Sequence, residues 1–337
     1  MGLGLRGGYV PRTPRVFPVG LWIGIAALLA PMTSGAQQPP PAPPKAVELM
    51  GLVGVKDNTK GTLSVQNGNL RFEHSKISSD LASTSMQDVV TGNDSQRVVG
   101  GTLGTVSLFA PYGSGRFLSL FRSKLDTLTI QYRDADGGLH GVIFTTPVGT
   151  AQPTKDELVA GGAHTSIPTQ GGTAASALDR SAQNSPADPA PGSKPAKIRA
   201  SAVTVMMIES DEIKLPAEFQ AALYENLVQQ LQKRSGFQHV YRDGDRNSAG
   251  VPNLLVLRST VRGFKQGSEE ARQVTTVAGA TSIRVHCEFT DMEGHVLLAR
   301  DIKGNVRFFG GNLKATYDFA KKAASVAHEN ISPVAGT

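Results

Sequence analysis

Apolar and polar residues alternate with period two through Thr62-Leu63-Ser64-Val65-Gln66, and again through Asn69-Leu70-Arg71-Phe72-Glu73. The intervening Asn67-Gly68 favours the positive backbone angles of a type I′ turn, so the segment predicts a β-hairpin with a two-residue loop. A second hairpin is predicted from Leu128 to Tyr132 and Leu139 to Phe144, around the turn residues Asp134 to Gly138. Further strand-like runs occupy Val89-Val90, Gly104 to Phe109 and Phe117 to Phe121. Pro153 then opens a short helical stretch that Gly161-Gly162 stops.

The pattern changes in the last third. Ala202 to Ile208 reads as a buried strand, and Phe219, Leu223, Leu227 and Leu231 fall four apart on one face of a helix that begins at Pro216. Gly236 is a natural stop for that helix, and Phe237 to Tyr241 returns as a strand, giving a β-α-β opening. Leu254 to Val261 is a further strand, followed by a polar, Gly-rich span through Gly263, Gly267 and Gly279. Thr281 to Phe289 and His295 to Phe308 predict antiparallel strands joined by a turn at Asp291 to Gly294. A last helix, capped near Asn312, is expected to bury Leu313, Tyr317, Ala320, Ala324, Ala327 and Ile331.

Between these two patterned regions, Gly161 to Ala196 mixes Gly, Ala, Ser, Thr and Pro with almost no large apolar residue. Such a stretch buries too little surface to offset its ordering entropy, which predicts a disordered linker. The 337 residues therefore divide into a leader over 1–36, a Pro-rich spacer over 37–45, a β domain over 46–161, a linker over 162–197 and an α+β domain over 198–332. The leader carries Arg6, Arg12 and Arg15 and no acid, then an apolar run from Phe17 to Ala30, then Ser34-Gly35-Ala36. That order is a secretory signal peptide, and the run is shorter than the roughly 20 residues a spanning helix needs. Its expectation is export to the periplasm or beyond, with an uncleaved amphiphilic anchor as the alternative. No cysteine lies close after the apolar run, which argues against a lipid anchor.

Charge narrows the partners. Those three arginines account for half of the net charge of +6, and residues 46–150 hold equal numbers of acids and bases. No basic stripe interleaved with aromatics occurs, which argues against nucleic-acid binding. Cys287, the only cysteine, cannot form an internal disulfide, and it alternates with Ile283, Val285 and Phe289 on the apolar face of its strand. It is expected to be buried.

Two resemblances follow from these residues. Many strands closed by one helix over Val47 to about Gly161, carried mainly by Gly61 to Phe72 and Leu128 to Phe144, resemble a pleckstrin-homology-like barrel. The ordered set Phe237-Gln238-His239-Val240, Val261 to Gly267, Ala278-Gly279-Ala280, Asp291 to Gly294 and Phe308 to Gly311 is similar to the bacterial envelope domain-of-unknown-function family 4410. That resemblance implies a non-catalytic α+β module of an envelope protein.

Candidate chemistry is sparse. His286, flanked by Arg284 and Glu288 on the polar side of its strand, is the histidine best placed for a site. His239 and His295 lack partners at metal-ligand spacing, and no Cys-x-x-Cys occurs, so no metal or cofactor is expected. Gly100 to Gly104 lacks the Lys-Ser/Thr of a phosphate loop, and Gly113-Ser114-Gly115 is not a nucleophile elbow. Asp134 with Asp136, and Asp243 with Asp245, lie in turn sequences that favour aspartate for local reasons. Phe264, Lys265, Glu269, Glu270 and Arg272, in the Gly-rich span, are the candidate partner-binding residues, since contacts concentrate on loops held by a rigid scaffold. Lys56 and Lys60 form a weak anion-site candidate in the first strand-to-strand loop. The reading is an exported, non-catalytic binding or adaptor protein with an envelope protein as partner. The alternatives are a hydrolase-like enzyme with its site on the second domain, and a peripheral membrane binder using the first.

Overall fold

The computed structural model describes residues 42–92, 125–166, 197–210, 213–267, 280–306 and 312–333. Predicted elements at Gly104 to Phe109 and Phe117 to Phe121, the leader, and residues 167–196 of the linker lie outside them.

Among the described residues the first domain is a seven-stranded antiparallel sheet. Its strands are β1 (Lys45–Met50), β2 (Thr59–Gln66), β3 (Asn69–His74), β4 (Ile77–Ala82), β5 (Met86–Thr91), β6 (Leu125–Arg133) and β7 (Leu139–Pro147), in the order β4-β3-β2-β1-β7-β6-β5. Both predicted hairpins are present, and Asn67 and Gly68 both take positive φ, as a type I′ turn requires. The alternating apolar residues Leu63, Leu70, Phe72, Leu128, Ile130, Val142 and Phe144 share one core, in which Phe72 and Phe144 lie 5.4 Å apart. Helix α1 (Ala151–Ala160) seats Leu158 in that core and ends at Gly161. Among the described residues the sheet is open, with β4 and β5 at its two edges. The β5 edge is covered instead by the chain leaving α1: His164 N donates to Met86 O (3.3 Å), and Ser166 N to an Asp88 carboxylate oxygen (2.8 Å).

The second domain is α+β. Strands β9 (Ala202–Val205), β10 (His239–Arg242), β11 (Leu254–Lys265), β12 (Thr281–Thr290) and β13 (Val296–Val306) form a sheet in the order β10-β9-β11-β12-β13. β9 is parallel to both of its neighbours, and the other pairs are antiparallel. Helices α2 (Ala217–Arg234) and α3 (Lys314–Asn330) share one core with the sheet, formed with Val203, Leu257, Val261, Ile283, Val285 and Phe289. α2 starts after Pro216 with Glu218 in its first turn and ends with Lys233 and Arg234, each charge favourable to the helix dipole. A short β8 (Ile198–Ala200) pairs in parallel with β14 (Ile331–Pro333).

Three expectations need correction. β11 runs through Gly263 to Lys265, so Phe264 and Lys265 lie on a strand and not in a loop. A bulge between Val261 and Gly263 lets the pairing resume. The N-cap of α3 is Leu313, one residue past Asn312, whose Oδ1 accepts from Thr281 Oγ1 at 2.7 Å. Tyr317 is 44% exposed, because Phe319, two positions on and about 200° around the helix, faces the core instead.

Cys287 is buried, with Ser259 Oγ 3.7 Å from its sulfur, and burial pushes its thiol pKa up to about 12. The folded chain is therefore expected to resist alkylation at pH 8, and to label in full once unfolded, as read by intact mass. Rapid labelling of the folded chain would contradict this burial.

The two domains touch directly. Leu139 N donates to Asp243 O and Arg246 N to Asp136 O, both at 3.0 Å, while Arg133 Nη1 donates to Asp243 O at the same distance. Ile143 packs with Ala221 and Ala222 of α2, flanked by Leu49 and Met50 of β1. This explains why α2 is buried on nearly all sides. One stripe faces its own sheet, and the small residues face the β domain.

Candidate functional site

Because α2 and α3 pack on one face of the five-stranded sheet, every second residue of β11, β12 and β13 projects from the other. Register aligns Arg258 with Glu288 and Ala299, Thr260 with His286 and Asp301, and Arg284 with Lys303. Arg258, Arg284, Asp301 and Lys303 are exposed, and His286 and Glu288 half-buried. His286 Nδ1 lies 2.7 Å from Asp301 Oδ1, and its Nε2 lies 3.0 Å from Glu288 Oε1. Both ring nitrogens are thus spent on carboxylates, which fixes the imidazole and leaves neither nitrogen directed at a ligand. The arrangement suits a pre-ordered polar contact surface. A groove of about 300 Å³ lies elsewhere, along Gln232 and Phe237 to Tyr241.

The other sequence candidates are dispersed. Phe264 packs edge-on against Phe219 of α2, 4.8 Å between centroids, so its ring serves the core, while Lys265 is exposed. Glu269, Glu270 and Arg272 lie outside the described residues. Lys56 is in the turn before β2 and Lys60 on β2, both exposed. Arg71, which might have joined them, is instead held by both oxygens of Asp80 at 2.8 and 3.0 Å. Val53, 60% exposed, is the exposed large apolar residue on the same β1–β2 connection.

Two groupings escaped the sequence reading. Asp291, Glu293 and His295 bring donor atoms within 4.8 Å of one another at the β12–β13 turn. His295 is exposed and spends Nδ1 on Asp291 at 2.8 Å, which raises its pKa. For Asp291 burial is the largest single influence and raises it, but the hydrogen bonds from His295 together outweigh it and lower the acid's pKa. The turn itself accounts for this contact. The second grouping is the joint between the domains. Glu225 of α2 binds Arg242 of β10 through both oxygens at 2.8 Å and accepts Gly141 N at 2.8 Å, while Arg242 Nη1 also donates to Leu139 O at 2.9 Å. The spacing of Glu225 and Arg242 in sequence carries no signal of this contact.

The described residues form a β-rich chain of several sheets with a few helices, and none of their helices is long and apolar enough to cross a membrane. No family model and no curated protein matches the chain. Among solved structures it is similar to the L103M dodecamer of PelC from Paraburkholderia phytofirmans, at 19% identity and a TM-score of 0.31, over 40% of this chain and 95% of that one. An uncharacterised protein matches at 16% identity and a TM-score of 0.24, over 40% and 94%. A candidate lipoprotein from Caulobacter crescentus matches at 17% identity and a TM-score of 0.18, over 37% and 82%.

Proposed function

We propose that this chain is an exported, non-catalytic envelope protein that binds a protein partner through the open face of its five-stranded sheet. The observation that carries the reading is that uncovered face, where Arg258, Arg284 and Lys303 surround a histidine already committed to two carboxylates. A catalytic imidazole needs a nitrogen free to move a proton to or from substrate, and His286 offers none. The leader supports export to the periplasm, the first domain is read as pleckstrin-homology-like, and the second as akin to family 4410. Direct contact between the domains changes the adaptor picture from two tethered modules to one body in which the β domain braces α2.

The test is photocrosslinking of the mature chain to the envelope fraction, from a reactive residue placed at Thr260 or at exposed Lys60. Crosslinks to a reproducible envelope protein from position 260, reduced more than about tenfold by Arg258→Glu with Arg284→Glu, are expected. Crosslinks only to lipid, or only from position 60, would overturn the reading in favour of a membrane-facing first domain.

A further inference from the structure

Two buried titratable groups flank the joint, and each has an atom with nothing to bind. Glu48 of β1 is fully buried; its Oε1 accepts Leu52 N at 3.2 Å, and its Oε2 has no partner. Among the described residues, the charged groups that act on it are Asp57, from the β1–β2 connection, and Glu225, from α2. His140 of β7 is 6% exposed, with Nε2 on Asp134 at 2.8 Å and Nδ1 without a partner. Its ring stacks on Tyr132 at 5.0 Å, and it feels Arg242 of β10 and Glu225 as well as Asp134. Both groups sit beside the contacts that hold the domains together. Glu48 precedes Leu49 and Met50, which pack toward α2, and His140 lies between Leu139 and Gly141, which bind Arg242 and Glu225.

The hydrogen-bond inventory fixes the protonation of each. A buried carboxylate facing only other carboxylates, with one oxygen bare, is stable as the neutral acid. An imidazole that donates from Nε2 to a carboxylate, with a bare Nδ1 and a guanidinium nearby, is stable as the neutral base. We propose that Glu48 and His140 form an opposed protonation pair: closing the joint places a proton on Glu48 and withholds one from His140. The two proton movements oppose each other, so each reduces the pH dependence that the other gives the joint.

The signs agree. Burial, then the nearby Asp57 and Glu225, raise Glu48 to about 7 from 4.5 despite the Leu52 amide. Stability due to Glu48 is therefore complete below pH 4.5 and lost as pH rises to 7. Burial, then Arg242, lower His140 from 6.5 against the pull of Asp134. Its contribution runs the other way, complete above 6.5 and lost as pH falls. As pH falls below 6.5, the contribution of Glu48 grows while that of His140 shrinks, so the two changes oppose each other.

Hydrogen exchange at the Gly141 amide, which donates to Glu225, reads opening of the joint in the full chain. After correction for intrinsic exchange, the difference between each variant and the wild type is followed from pH 4.5 to 7.5. Glu48→Gln is expected to protect Gly141 progressively as pH rises, approaching tenfold per unit and on the order of a hundredfold by pH 7. His140→Gln, which keeps a donor for Asp134, is expected to protect it progressively as pH falls below 6.5. Slopes of one sign, or none, would overturn the pair. Should a variant fail to fold, wild-type chain carrying ¹³C-glutamate decides: at pH 6 it should show an isotope-shifted infrared band of a protonated, buried carboxyl. Absence of that band refutes the proposal.

Discussion

Replacing Arg242 by methionine is expected to destabilise the chain by about 3–5 kcal/mol, the largest effect of any single side chain at the joint. Glu225 is 1% exposed, and Arg242 supplies both of its charged hydrogen bonds. Without the guanidinium, the carboxylate keeps only the Gly141 amide, and Leu139 O loses a donor. The cost comes chiefly from stranding a charge out of water. Pairing Arg242→Met with Glu225→Leu should therefore recover much of the loss, because neither charge then remains buried alone. Chemical denaturation of the three variants tests this. A single-variant loss below about 1 kcal/mol, the usual worth of a surface pair, would show that water reaches the bridge.

Gly304→Ala should cost about 3 kcal/mol, at the upper end of overpacking effects. Here β13 passes under α3, and an added methyl would lie 2.1 Å from Ala315 O and 2.7 Å from Phe319 Cβ. Ala315 O belongs to the helix backbone, so relief requires α3 to lift from the sheet. Phe319, Ala320, Ala323 and Ala324 would lose contact with it. Thermal unfolding followed by circular dichroism reads the loss. An unchanged midpoint would mean that α3 rides farther from β13 than these distances state.

What was legible in the sequence was local. Asn67-Gly68 demands a particular turn, so the first hairpin could be read from two residues. The four-residue spacing from Phe219 to Leu231 likewise identified the core stripe of α2, whose four residues are all buried. β4 was missed because it is an edge strand with a single half-buried apolar residue, Leu81, packed toward the core, too little to mark an alternation. β11 was cut short because Gly263 resembles a loop residue, while the bulge that carries the strand past it depends on β12. The joint was illegible for a related reason. Gly141 accommodates α2 because it has no Cβ, and one there would lie 2.9 Å from that of Ala221, a constraint between residues 80 positions apart. The open face was half legible: alternation placed Arg284, His286 and Glu288 together, but Asp301 joins them only through the β12–β13 register.

The parallel pairing of β8 with β14 has a mechanical consequence. Ile198 lies beside Ile331 and Ala200 beside Pro333, so the second domain is entered and left at one clasp. A pull between the chain before Ile198 and the chain after Pro333 drags the two strands past each other lengthwise. Their hydrogen bonds are then loaded together and must yield as a set, whereas an antiparallel clasp drawn from the same ends would open one bond at a time. A protein stretched between two fixed points would transmit tension through this short ladder before the five-stranded sheet feels it.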